Sequence, residues 1–221
     1  MKTSLKLFGN SHLPHIVDDI DKRRILDNLF VHSGICVPEK SITNCKLISN
    51  NNINLLEKGY FAIAVPTELK IYLYFTKIDG EKKSFIVLRK LTEGFKYPKI
   101  ITLSSDVVLC DEIFNGTLIE ATRAFVDSQR YVVLMTDIKL YKGSTNVRKE
   151  NYISRLKTIG NFIMNEYKEI LKKYPFRLQI ITPYTHLSLV EQRIKNLPYK
   201  IEKITFVSHN NKHSNLYYNS C

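Results

Sequence analysis

The chain contains no tryptophan, only four cysteines and no long apolar run. The first absence excludes any mode of ligand recognition that stacks on an indole. Cys36, Cys45, Cys110 and Cys221 form no Cys-x-x-Cys pair, and no histidine stands beside them at zinc-ligand spacing, which argues against a structural zinc site. No segment approaches the roughly 18 apolar residues of a membrane-spanning helix. The N-terminal Met1-Lys2-Thr3-Ser4-Leu5-Lys6 runs into a polar Gly9-Asn10-Ser11 stretch instead of an apolar segment with a cleavage site. The expectation is an intracellular protein of cytoplasm or nucleus, with reduced cysteines and no membrane partner. Internal repeats, low-complexity tracts and flexible linkers are lacking too, which points to one folded unit.

What is abundant is positive charge. Lys and Arg total 33 against 21 Asp and Glu, a formal net charge of +12. Such an excess favours an acidic partner, namely RNA, DNA or a nucleotide. Its plainer reading is a lysine-rich soluble surface in an Asn/Ile/Lys-rich proteome, a composition that suits a large DNA virus or an AT-rich genome. With 221 residues, 44% of them hydrophobic, the chain can bury one sizeable core.

Periodicity divides the chain into mixed elements. Apolar residues recur at three- and four-residue steps from Val17 to Phe30, predicting a first helix whose Lys22, Arg23 and Arg24 form a solvated face. A short helix is expected over Asn52–Lys58. Strands follow at Tyr60–Val65, Ile71–Thr76 and Ser84–Arg89, the last two joined by an Ile78-Asp79-Gly80-Glu81 turn. Lys99–Leu103, Val107–Cys110, Gly116–Phe125 and Tyr131–Leu140 extend the run of antiparallel hairpins, with Val126-Asp127-Ser128-Gln129 turning between the last two. Ile153, Leu156, Ile159, Ile163, Tyr167 and Ile170 then predict a helix over Asn151–Tyr174, stopped by Pro175. Arg177–Thr182 and Lys203–Val207 read as strands flanking a helix around Leu187–Asn196. The fold class is α+β.

From about residue 45 to the end, about four-fifths of the chain, this order resembles the guanylyltransferase domain of mRNA capping enzymes. The resemblance rests on Ile48-Ser49-Asn50-Asn51-Asn52-Ile53-Asn54-Leu55-Leu56 before Tyr60-Phe61-Ala62-Ile63, where the family has a loop, a helix and the lysine-bearing strand. It continues in Leu73-Tyr74-Phe75-Thr76-Lys77 and Ser84-Phe85-Ile86-Val87-Leu88-Arg89, which are similar to the family's paired strands. The resemblance implies an antiparallel-sheet nucleotidyltransferase domain of the DNA ligase and capping-enzyme type, flanked by helices. Residues 45–221 would form that domain, and residues 1–44 a helical extension packed on it.

The family's chemistry uses a lysine amine that attacks the α-phosphorus of GTP, within Lys-x-Asp-Gly. At the matching positions stand Val65, Thr67 and Glu68, and only Lys70 keeps the charge of the family's arginine. Valine has no lone pair to donate. In the carboxylate motif, Gly116-Thr117-Leu118-Ile119-Glu120-Ala121-Thr122, Glu120 stands for the aspartate and Thr122 for the glutamate. Val132-Val133-Leu134-Met135-Thr136-Asp137 keeps a carboxylate at Asp137, but Thr136 replaces the ring that would stack on guanine. Near the C-terminus, Tyr218 and Ser220 fall where phosphate-neutralising lysines belong, and no OB-fold lobe follows.

A literal Lys-x-Asp-Gly does occur at Lys77-Ile78-Asp79-Gly80, with Lys82 and Lys83 beyond it. Asp-Gly between two apolar strands is also a strong hairpin signal, so this is a turn or an active site. Four functions are open at this level. The first is a pseudo-guanylyltransferase without cofactor that binds RNA or capped RNA, or assists an active capping-enzyme subunit. Lys70, Arg89 and Asp137 would then line a cleft, and Lys77, Lys82 and Lys83 its rim, unless those lysines guard a sheet edge. The second is an active enzyme with Lys77 as nucleophile, Glu120 and Asp137 as metal-binding carboxylates, and GTP with Mg or Mn as cosubstrates. A cap-binding protein similar to snurportin is the third, although that family stacks the cap on a tryptophan. The fourth is a scaffold that touches no nucleotide.

Overall fold

A computed structural model describes residues 13–39, 45–48, 59–66, 69–104, 108, 110–127, 130–168, 176–210 and 215–219. The helix expected over 52–58 and the positions Thr67, Glu68 and Ser220 lie outside them. The first helix, α1 (Asp19–Ser33), starts where Asp18 accepts hydrogen bonds from the N–H groups of Ile20 and Asp21. Such a cap contributes about 1 kcal/mol. The helix stops at Gly34, whose left-handed φ of 66° lets its N–H reach the Phe30 carbonyl.

Among the described residues, ten strands follow in two sheets. β1 (Cys45–Leu47), β2 (Tyr60–Pro66), β9 (Ile201–Ser208) and β10 (Asn215–Asn219) form a four-stranded sheet in the order β1-β10-β9-β2. β3 (Lys70–Ile78), β4 (Glu81–Leu88), β5 (Ile100–Leu103), β6 (Thr117–Asp127), β7 (Arg130–Leu140) and β8 (Phe176–Ile180) form a six-stranded sheet ordered β5-β4-β3-β6-β7-β8. Most pairs are antiparallel, as the hairpin reading expects, but β7–β8 and β1–β10 are parallel, so both sheets are mixed. Two further α-helices among the described residues are α2 (Tyr152–Asn161) and α3 (Leu187–Ile194). The chain is α+β.

Strand alternation sorts the side chains into layers. Ile71, Leu73, Phe75, Ile119, Ala121, Val133 and Met135 turn to one face of the six-stranded sheet. There they share a core with Ile63, Val65 and Val207 of the other sheet and with Tyr152, Leu156 and Ile159 of α2. Tyr72, Tyr74, Phe85, Val87 and Leu118 turn to the opposite face, which α1 covers with Ile25, Leu26 and Leu29. Each such apolar side chain contributes about 1.5–3 kcal/mol on full burial. The outer face of the four-stranded sheet, with Tyr60, Ala62, Ala64 and Phe206, is covered by α3 through Val190.

The structure differs from or adds to the sequence expectations at three places. Of the strand expected at Val107–Cys110 only Val108 and Cys110 are among the described residues: Val108 makes an isolated bridge to Tyr167, and a 3-10 turn follows at Asp111–Asn115. The long helix ends early, since α2 passes at Phe162–Glu166 into a π turn and Tyr167 is already extended. Phe162 is fully buried there, its ring 5.4 Å from that of Phe75, and Tyr167 leaves the helix to meet Val108. Tertiary contacts thus override the helical spacing of the sequence. Finally, β1 and β10 are short strands that periodicity does not reveal.

Candidate functional site

Asp79-Gly80 makes the tight turn between β3 and β4, with φ of 55° and 78°. Two positive φ values in a two-residue loop are the mirror-image turn that Asp-Gly favours. Lys77 lies on this hairpin, opposite Lys82; its ammonium donates to Asn115 Oδ1 at 3.1 Å, and that of Lys82 to Asp111 Oδ1 at 2.6 Å. Arg24 of α1 pairs with Asp79. These are solvent-exposed contacts of small energetic weight.

Glu120 is on β6 opposite Tyr72, whereas Lys77 is five residues further along β3. At about 3.4 Å per residue the two are roughly 17 Å apart along the strand. Val65 is buried with Ile119 and Ala121, on the face of the sheet from which Glu120 turns away. Neither position adjoins the carboxylate.

Glu120 instead belongs to a chain of partly buried charges. Register shifts on either side of the Glu120–Asp137 pair leave Thr136 and Lys139 as extra residues of β7. Such bulges re-aim side chains. The Lys139 ammonium stands between the two carboxylates, 3.1 Å from Glu120 Oε2 and 2.7 Å from Asp137 Oδ2. Arg89, just past β4, pairs with Glu120 and, at 2.6 Å, with Glu39 Oε2. At the other end Arg155 of α2 reaches Asp137 Oδ1 at 2.6 Å and donates to the Glu150 carbonyl at 2.7 Å. Tyr72 donates to Glu39 and lies 4.9 Å under the Arg89 guanidinium, while Tyr152 donates to the Thr136 carbonyl at 3.1 Å. Glu39, Glu120 and Asp137 are therefore balanced by Arg89, Lys139 and Arg155.

The electrostatics follow. Burial would raise the Glu120 carboxyl, but Lys139 and Arg89 outweigh it and hold the group down at about 2. Burial would likewise lower the Lys139 ammonium, yet Glu120 and Asp137 keep it above its ordinary value. Burial raises the Tyr72 and Tyr152 phenols, which stay neutral donors. Among the described residues no group of three His, Cys, Asp or Glu is placed to hold a metal ion. The two carboxylates that could contribute to such a site are bridged by an ammonium of the chain itself.

Of the residues singled out in the sequence, Arg89, Glu120 and Asp137 are brought together. Lys70 opens β3 opposite Thr122, its carbonyl accepting from the Arg89 N–H at 3.1 Å, while Lys77 and Lys82 stay on the distant hairpin. Sequence reasoning missed Glu39, Lys139 and Arg155. Lys139 had a signal, two residues past Asp137 on a strand; Arg155 sits inside an apolar helical stripe, and Glu39 in a loop.

A second feature occupies the β6–β7 hairpin end. Phe125 and Tyr131 are direct cross-strand partners with ring centroids 5.3 Å apart, and the Arg123 guanidinium lies 5.1 Å over the Tyr131 ring. Phe125 is 41% exposed, and Arg130 and Arg177 are exposed nearby on β7 and β8. Comparison with known proteins gives no matching family model and no significant match among curated sequences, so the functional reading rests on these residues themselves.

Proposed function

We propose that the chain is a catalytically silent, guanylyltransferase-like nucleotidyltransferase domain that binds RNA or capped RNA as an accessory in mRNA capping. The observation that carries this reading is the Lys139 ammonium between Glu120 and Asp137. In the active relatives that the sequence resembles, carboxylates at these positions serve metal and nucleotide; here both are neutralised from within, and among the described residues the lysine amine that adjoins them, that of Lys139, is already charged and paired. The balanced network adds nothing to the net charge, so the +12 excess resides in other residues and favours a phosphate-bearing partner. Phe125 and Tyr131, flanked by Arg123 and Arg130, supply flat rings beside positive charge, the combination that holds unpaired bases.

Incubation with radiolabelled GTP and Mg or Mn, followed by denaturation, is expected to leave no covalent label on the chain. A label that disappears in Lys77→Ala would restore the active-enzyme reading. RNA binding is checked by fluorescence anisotropy on a single-stranded oligonucleotide over a salt series. Affinity should fall steeply with salt, and Phe125→Ala should weaken it by about 1–3 kcal/mol per base stacked without altering the salt slope. A flat salt response would favour the scaffold role instead.

A further inference from the structure

Positive charge is divided unevenly between the two ends of the six-stranded sheet. One end holds the β3–β4 turn, the 3-10 turn Asp111–Asn115 and the turn after β7, and there cations meet anions: Arg24 pairs with Asp79, Lys82 with Asp111, Lys83 with Glu81, and Lys142 with Glu112 and Glu166. The other end gathers the start of β3, the β4–β5 connection and the β6–β7 turn. The connection carries Lys90 and Lys96, both exposed, and the half-buried Lys99. Lys70 opens β3, and Arg123 and Arg130 belong to the β6–β7 hairpin. Against them, apart from the balanced network around Arg89, the described acidic positions at this end are Glu93 and Asp127.

Strand register sets these cations in a row. Leu88 donates its N–H to the Lys99 carbonyl at 3.0 Å, Arg89 to that of Lys70 at 3.1 Å, and Arg123 to that of Leu69 at 2.9 Å. Lys99, Lys90, Lys70 and Arg123 therefore belong to neighbouring strand ends in the order β5-β4-β3-β6, and Arg130 to β7 beyond them. At about 4.8 Å per strand the row is roughly 19 Å across. Rings mark both of its ends: Phe125 and Tyr131 at the β6–β7 hairpin, and in the β4–β5 connection an exposed Phe95 and Tyr97, the latter with the Lys96 ammonium 5.4 Å over its ring. Spaced cations between flat rings match a polymer of spaced phosphates and flat bases. A duplex keeps its bases stacked inside, away from such rings, so the match is to a single strand. We infer that single-stranded RNA lies across this end of the sheet, from the Phe125–Tyr131 pair to the β4–β5 connection, where Lys90 and Lys96 hold phosphates. The inference rests on the RNA-binding reading above and adds to it a second contact region and the form of RNA taken.

The test is fluorescence anisotropy on the full chain over a salt series, with a single-stranded RNA of about 12 nucleotides and a duplex of the same length. The single strand should bind the more tightly. The double variant Lys90→Glu with Lys96→Glu is expected to weaken it at least roughly tenfold and to flatten the log–log salt slope by about 1.4, two phosphate contacts at about 0.7 each. Lys149→Glu with Lys157→Glu makes the same change of charge at exposed positions of the 3-10 turn Asn146–Lys149 and of α2, away from the row. That control should cost less than about threefold and keep the slope, since distant exposed charges are screened. Both variants change exposed side chains, and circular dichroism should match the parent chain. The inference is overturned if the two double variants lose affinity equally, if the slope is unchanged in Lys90→Glu with Lys96→Glu, or if the duplex binds as tightly as the single strand. Those outcomes leave the RNA-binding reading standing wherever the parent chain binds and Phe125→Ala weakens it, whereas a flat salt response of the parent chain removes both.

Discussion

Lys139→Ala is expected to lower the stability of the chain by about 3 kcal/mol, because it strips the shared cation from two partly buried carboxylates. For a domain of this size that corresponds to a fall of roughly 6–12 °C in the thermal midpoint. Arg89 and Arg155 still hold Glu120 and Asp137 from their outer sides, so the variant should fold. The alanine also opens a space between two oxygen donors that face each other, and millimolar Mn should recover part of the lost midpoint in Lys139→Ala while leaving the parent chain unmoved. Lys139→Met, which removes the charge but fills the space, should lose stability without responding to Mn. Equal stabilisation of the parent chain by Mn would show that the ammonium does not occupy the cation position, and the catalytically silent reading would lose its main support.

The second large effect is in acid. A carboxyl whose folded value is below its unfolded one contributes stability above the unfolded value and loses it as pH falls through the folded value. For Glu120 the window runs from the ordinary 4.5 down to about 2. At 1.36 kcal/mol per pH unit this gap is worth on the order of 3 kcal/mol, fully present at neutral pH. Urea unfolding measured between pH 7 and 2.5 should therefore show stability falling below pH 4.5 in the parent chain. Glu120→Gln should start less stable at pH 7 and lose less over the same interval. An unchanged pH slope in the glutamine variant would mean that Glu120 is not the group that Arg89 and Lys139 hold ionised.

Much of the architecture is legible in the residues because strand and turn signals here are local. Alternation in Tyr60–Val65, Ile71–Thr76 and Ser84–Arg89 and the Asp79-Gly80 turn specify strands and a hairpin that the structure contains, with ends shifted by at most three residues. Local signals mislead where a distant partner intervenes. The helical spacing through Tyr167 and Ile170 continues past the point where Phe162 is drawn into the core and Tyr167 pairs with Val108. Strand polarity is similarly silent in the sequence: nothing in Phe176–Ile180 says that it runs parallel to β7, since pairing direction depends on how the intervening chain returns.

The candidate site divides along the same line. The aliphatic Val65, the surplus of lysine and arginine, and the carboxylates at Glu120 and Asp137 are all matters of residue identity and could be read before any coordinates. That Glu120 and Asp137 face each other, that a bulge turns Lys139 into the gap, and that Arg89, Arg155 and Glu39 arrive from three separate elements could not. Charge pairing here depends on side chains 18 to 50 positions apart meeting in space, and the chain order records identity but not that meeting.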